Sequence, residues 1–195
     1  GGMDSYYLGN FAGFPLDTTL MVAHLMFSGA LDELKRLRFL LAHGGGFIPY
    51  QIGRFAHGHD VRPEPKVNNA SSPRDLFKRL YFDCLTHEPR STRHLINMAG
   101  ANHIVIGTDN PFDMAPKGDA KQVGQVDAIP GLTPVEREWI CSKTAKSLLG
   151  EKLDLDLDAL GIAVAPLLAV LYGQIPVMYL LVSASRYLFA GGLWL

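Results

Sequence analysis

Three short apolar runs, each ending on an ionisable residue and each divided from the next by helical pattern, constrain this chain more than any other feature. Phe39-Leu40-Leu41-Ala42 ends on His43, residues 80–86 end on His87, and residues 103–108 end on Asp109. Runs this short, continuous and apolar predict strands buried on both faces. Between them, Phe47 to about Phe55, Arg74 to Arg79 and Pro89 to Ala99 predict helices, with Gly100 stopping the third. A helix from Leu16 to about Leu37 precedes the first strand, and Thr133-Pro134 opens a last one over Val135–Leu149. Alternation at this spacing predicts an α/β fold of parallel strands joined by right-handed crossovers. Parallel strands bring His43, His87 and Asp109 to one sheet edge, where α/β proteins collect their chemistry. Gly44, Gly45 and Gly46 follow His43 and let backbone approach closely.

Composition removes several function classes. The 195 residues carry a formal net charge of −1, which gives nucleic acid nothing to bind. Cys84 and Cys141 have no metal or redox spacing; they fit a reducing compartment or small buried residues. The first residues lack the basic and apolar regions of a signal peptide, and the chain is expected to begin inside a domain. Residues 1–14, 60–74 and 115–131 read as loop. His24 reads as a packed histidine beside an apolar stripe. His57-Gly58-His59 is placed in a polar loop after the second helix, where alternate histidines share no strand face and make no metal pair.

With those elements in place, the motifs resemble a known family. Ala42 to Arg54 (AHGGGF, then Pro49, Gly53 and Arg54), Thr86-His87-Glu88-Pro89 and Gly107-Thr108-Asp109-Asn110-Pro111-Phe112 together resemble the amidohydrolase superfamily. The branch is amidohydrolase-2, that of aminocarboxymuconate-semialdehyde decarboxylase, and Pro15-Leu16-Asp17-Thr18-Thr19 is similar to its sequence ahead of the HGGG strand. The resemblance covers about residues 8–150. It implies the C-terminal portion of a metal-dependent (β/α)8 TIM barrel, with a divalent metal, zinc by the family's habit. It implies a carboxy-lyase or hydrolase acting on aromatic or enol-type carboxylic acids. By resemblance His43 is the acid–base residue, and Asp109 is a catalytic carboxylate that also ligates the metal. Arg54 binds a substrate carboxylate, in a neighbouring subunit of a homodimer, and His87 lies at the substrate. Those types suit the chemistry: imidazole moves protons near neutrality, and guanidinium matches a carboxylate. The family's remaining metal ligands lie on earlier strands, an HxH pair and a further histidine, and this chain is expected to start after them. Asn110 stands where the family often has an aromatic, and Lys143-Thr144-Ala145 where it often has Gly-Asn-Ala.

Residues 151–195 do not resemble the family. Ala159 to Ser185 holds no charged residue over 27 positions, enough to cross a bilayer roughly 30 Å thick, although Pro166 and Pro176 interrupt it. The expectation is a barrel portion over 1–150 and a hydrophobic tail over 151–195. The tail is a candidate membrane segment at about 159–185, anchoring a cytoplasmic protein, or a buried extension. Two rivals stand beside the enzyme reading. One is a non-catalytic remnant, lacking metal-dependent activity as this chain, that pairs with another chain or a membrane. The other is an α/β-hydrolase, which also uses HGGG but needs a Gly-x-Ser-x-Gly elbow that is missing.

Overall fold

The computed structural model describes residues 2–115 and 121–149. The chain divides into two units, Gly1–Ala145 and Lys146–Leu195. The fold below is that of the first; of the second, only residues 146–149 are described. The candidate membrane segment at 159–185 lies outside the described residues. Among the described residues no helix is long and apolar enough to cross a membrane.

The first unit is a mixed α/β structure around a three-stranded parallel sheet. A π-helical turn, Gly9–Gly13, leads straight into helix α1 (Phe14–Phe27), where Pro15 takes the N-terminal turn in which its missing N–H costs nothing. The expected single helix to Leu37 is broken at Gly29, which sits at φ 83° against the Asn68 backbone; a short α2 (Ala30–Glu33) follows. Then come β1 (Leu40–Leu41), α3 (Ile48–Val61), α4 (Pro73–Phe77), β2 (Tyr81–Asp83), α5 (Pro89–Ala99) and β3 (Ile104–Val105). Beyond them lie α6 (Lys121–Asp127), α7 (Pro134–Glu138), a π-helical turn Trp139–Lys143 and α8 (Thr144–Leu149).

The strands pair in the order β1-β2-β3, both pairs parallel, with Leu41 beside Phe82 and Phe82 beside Ile104. Parallel neighbours need a crossover, and α3 with α4, then α5, supply them. The core forms where these helices cover the sheet. Phe82 and Ile104 are fully buried, packed with Ile48 and Ile52 of α3, Leu95 of α5 and Met26 of α1. Thr133 and Glu136 form a capping box at the start of α7, and Arg93 of α5 bonds Glu136 at 2.9 Å, joining the two helices.

Three further expectations are corrected. Residues 1–14 are not all loop, because the π-helical turn Gly9–Gly13 lies within them. The segment 115–131 is not all loop, because α6 lies within it. His57-Gly58-His59 is not a loop either: α3 continues to Val61. Ile52, Ala56 and His59 recur at helical spacing on its buried side, and that stripe carries the helix through Gly58. His57 is exposed and His59 buried, so the two histidines face different ways.

Candidate functional site

Beyond each strand the residue expected to carry chemistry turns the backbone. His43, His87 and Asp109 have φ of 55°, 54° and 50°, the left-handed region that is uncommon for residues other than glycine. The strands are two or three residues long, where the apolar runs suggested more.

After β1, the chain coils through a 3₁₀ turn, His43–Gly45. A buried carboxylate holds that turn. Asp83, the last residue of β2, accepts the His43 N–H on Oδ2 at 3.0 Å, and on Oδ1 the N–H groups of Gly44 at 2.8 Å and Leu85 at 3.0 Å. Burial pushes the Asp83 carboxyl above its ordinary range, while the three N–H donors pull the other way. The far side of the turn is tied to α1: the Phe47 N–H donates to Thr19 Oγ1 at 2.9 Å, and that hydroxyl donates to the Pro15 carbonyl at 2.7 Å. Gly46, at φ 63°, passes so close to the Pro15 carbonyl that a Cβ would overlap it.

The second strand end is braced by hydroxyls. Thr86 Oγ1 lies 2.7 Å from Thr92 Oγ1 and 2.9 Å from the Glu88 carbonyl, and the Glu88 carboxylate caps α5 by accepting the Arg90 N–H at 3.1 Å. At the third, the Phe112 N–H donates to the Asp109 carbonyl at 2.9 Å, closing a turn over Asn110-Pro111. Nearby, the Tyr7 hydroxyl donates to Asp113 at 3.2 Å. Partial desolvation, that bond and the negative charge of Asp113 and Asp109 raise the Tyr7 pKa.

One cavity of about 600 Å³ opens over these strand ends, a volume typical of small-molecule sites. His43, His87 and Asp109 all line it. Phe11, Phe47 and Tyr50 add aromatic surface, and Arg90 and His94 of α5 add basic groups. Arg54 is not brought to it: this arginine lies on the exposed side of α3, outside the lining. A metal centre is not assembled either. Among the described residues no three His, Cys, Asp or Glu side chains are grouped closely enough to hold an ion, so Asp109 is not part of a complete ligand set there.

Asp83, Thr19, Arg90 and His94 were not singled out from the sequence. Asp83 had a legible signal, an acid inside an otherwise apolar strand, and such a residue must find donors when buried. Arg90 and His94 stand four residues apart just after a strand end, and a helix that starts there turns its first residues toward the same edge.

Comparison with known proteins adds to this geometry. The family model described as amidohydrolase matches residues 5–150. The chain is 31% identical over 149 residues to the 2-amino-3-carboxymuconate-6-semialdehyde decarboxylase of Dictyostelium discoideum, covering 76% of this chain and 41% of that protein. It is 32% identical over 150 residues to the protein of the same name in Caenorhabditis elegans, covering 76% and 37%. The chain thus spans less than half the length of these curated relatives. Among solved structures, it matches Metarhizium anisopliae IDCase in apo form with a TM-score of 0.64 and 26% identity, over 75% of this chain and 43% of that one. It matches a dihydroxybenzoic acid decarboxylase from Polaromonas sp. JS666, with bound manganese and the inhibitor 2-nitroresorcinol, with a TM-score of 0.65 and 22% identity, over 74% and 43%. The second likeness is one of fold.

Proposed function

The chain belongs to the amidohydrolase family, and we propose that it carries one wall of a site that binds and decarboxylates an aromatic or enol-type carboxylic acid. The observation that carries this reading is the convergence of His43, His87 and Asp109, from three successive strand ends, on one cavity with aromatic sides. The relatives named as decarboxylases support the reaction class. Because the chain covers under half of those relatives, the activity of a whole protein is part of the proposal.

In this reading the barrel is a (β/α)8 one, and the described strands are its last three. Loss of carbon dioxide breaks the bond between the carboxyl carbon and the ring or enol carbon and leaves the electron pair on the latter. A proton must be delivered to that carbon, and His43 is assigned the delivery as general acid. Asp109 is assigned as the catalytic carboxylate that also ligates the metal, and His87 to orient the acid from the neighbouring strand end. Arg54, outside its own cavity, is assigned to a substrate carboxylate in a second copy of the chain, which makes a homodimer the working assembly. A divalent metal, zinc or the manganese seen in the Polaromonas relative, would draw its other ligands from outside the described residues.

That last point also favours a second reading, in which this chain by itself is a non-catalytic remnant. Titration of the chain with 2,6-dihydroxybenzoate, followed by amide NMR and by carbon dioxide release with added Mn²⁺ or Zn²⁺, separates the two. Shifts centred on His43, His87 and Asp109 that weaken in His43→Ala are expected under the first reading. Binding without carbon dioxide release favours the remnant. No binding at the cavity overturns the carboxylic-acid site.

A further inference from the structure

We propose that Arg90 and His94 form a second anion subsite in the cavity, which selects acids carrying two anionic groups over those carrying one. The proposal rests on the reading of the cavity as a carboxylic-acid site. Both residues line the cavity and stand one helical turn apart on α5, while His43 and Asp109 reach it from strand ends. The cavity is thus provided with polar groups on two separate elements.

On α5 the lining holds basic groups and no carboxylate; Asp109, the one carboxylate among the described lining residues, comes from beyond a strand end. Three other arginines of the fold are ion-paired: Arg62 with Glu64, Arg93 with Glu136, Arg137 with Asp127. The Arg90 guanidinium makes no hydrogen bond or ion pair among the described residues. Glu88, the nearest acid in sequence, spends its carboxylate as a cap on the Arg90 backbone N–H instead. An unpaired guanidinium fork at a cavity wall matches a carboxylate in shape and charge. The carboxylate that leaves is served by the strand-end groups and by Arg54 from a second copy, so the partner suited to Arg90 is a second carboxylate elsewhere on the same acid. Contact with a group that does not react holds the ground and transition states alike, so it acts on affinity and KM more than on kcat.

The test is calorimetric titration of the full chain with benzoate and with isophthalate, which differ by one carboxylate. Isophthalate is expected to bind about tenfold more tightly, the value of one charge-assisted pair at an open wall. Arg90→Leu should lower isophthalate affinity about tenfold and benzoate affinity less than twofold. Arg90→Lys, which keeps the charge but loses the fork, should fall between them. Benzoate binding with no isophthalate preference, or a preference that survives Arg90→Leu, overturns the subsite and leaves the carboxylic-acid reading intact. Failure of both probes to bind overturns that reading as well.

Discussion

Replacing Asp83 by Asn tests whether a buried carboxylate holds the His43 turn in place. The two side chains have nearly the same shape, so the change is one of donors and charge. The carboxylate accepts three N–H groups, two on Oδ1 and one on Oδ2. An amide accepts on one atom only. In its better orientation Asn keeps the Gly44 and Leu85 bonds and turns its own NH₂ against the His43 N–H. One bond is then lost with its donor left unpaired, costing about 1–3 kcal/mol, and the two that remain fall from charge-assisted to neutral strength, about 0.5 kcal/mol each. Against this, a buried charge is removed, and its desolvation cost is returned, which offsets part of the loss. The net expectation is a loss of about 2 kcal/mol, roughly thirtyfold in the folded-to-unfolded ratio.

Urea unfolding at pH 7 measures that loss, and amide exchange at His43, Gly44 and Leu85 locates it. The pH dependence supplies a sign. The folded carboxyl titrates above its ordinary value of 3.8, so the folded state takes up the proton first. The Asp83 contribution to stability therefore rises as pH falls from the raised folded value to 3.8, and the variant lacks that rise. A variant as stable as the wild type, with unchanged exchange at His43, would refute the anchoring role. It would mean that the cost of burying the charge equals what its three bonds return.

Three further variants probe other links. Gly46→Ala should cost more than about 2 kcal/mol by thermal denaturation, since its Cβ would enter the Pro15 carbonyl; Gly58→Ala, with nothing within 4 Å, should instead stabilise α3 by about 0.5–1 kcal/mol. Glu136 is lowered from 4.5 to about 2, first by its bond with Arg93, so its contribution is present above 4.5 and lost as pH falls toward 2. With its side chain 25% exposed, that contribution is about 1–2 kcal/mol, and Glu136→Gln should flatten the acid limb of an unfolding-versus-pH series by this amount. His87→Gly should raise stability by about 1 kcal/mol by relieving a left-handed φ, where His87→Ala does not, while both weaken 2,6-dihydroxybenzoate binding in a fluorescence or calorimetric titration.

Local signals in the sequence were read well where one residue type had one meaning. Pro89 and Gly100 bracket α5 because Pro suits a first turn and Gly a helix end, and the helix runs between them. The strand–helix order was legible for the same reason, since apolar period changes where the element does. Strand lengths were not, because the ladder stops at Leu41, Asp83 and Val105 while the apolar runs continue toward His43, His87 and Asp109. Asp83 stood out as an acid in an apolar strand, but its three N–H donors come from contacts that only the fold brings together. His57-Gly58-His59 misled by composition: a Gly between polar residues suggests loop, yet burial of Ala56 and His59 outweighs the roughly 1 kcal/mol that Gly costs a helix.

The left-handed residues join backbone strain to the cavity. Among the described residues five that are not glycine have positive φ: Tyr6, Tyr7, His43, His87 and Asp109. The last three line one cavity. Each conformation costs roughly 1–3 kcal/mol, and glycine would remove the cost. The sequence does use glycine at positive φ at the next three positions after His43, so the fold accepts it there. A histidine at the first position, with a buried carboxylate committed to holding its N–H, is a costly choice for a turn alone. Stability would favour Gly at all three strand ends, so imidazole and carboxylate there are retained at a cost that use of those side chains would explain. The separation is measurable in one series: glycine at each position should raise the unfolding free energy while binding of the acid falls, and a fall in both at all three positions would show that these side chains serve packing instead.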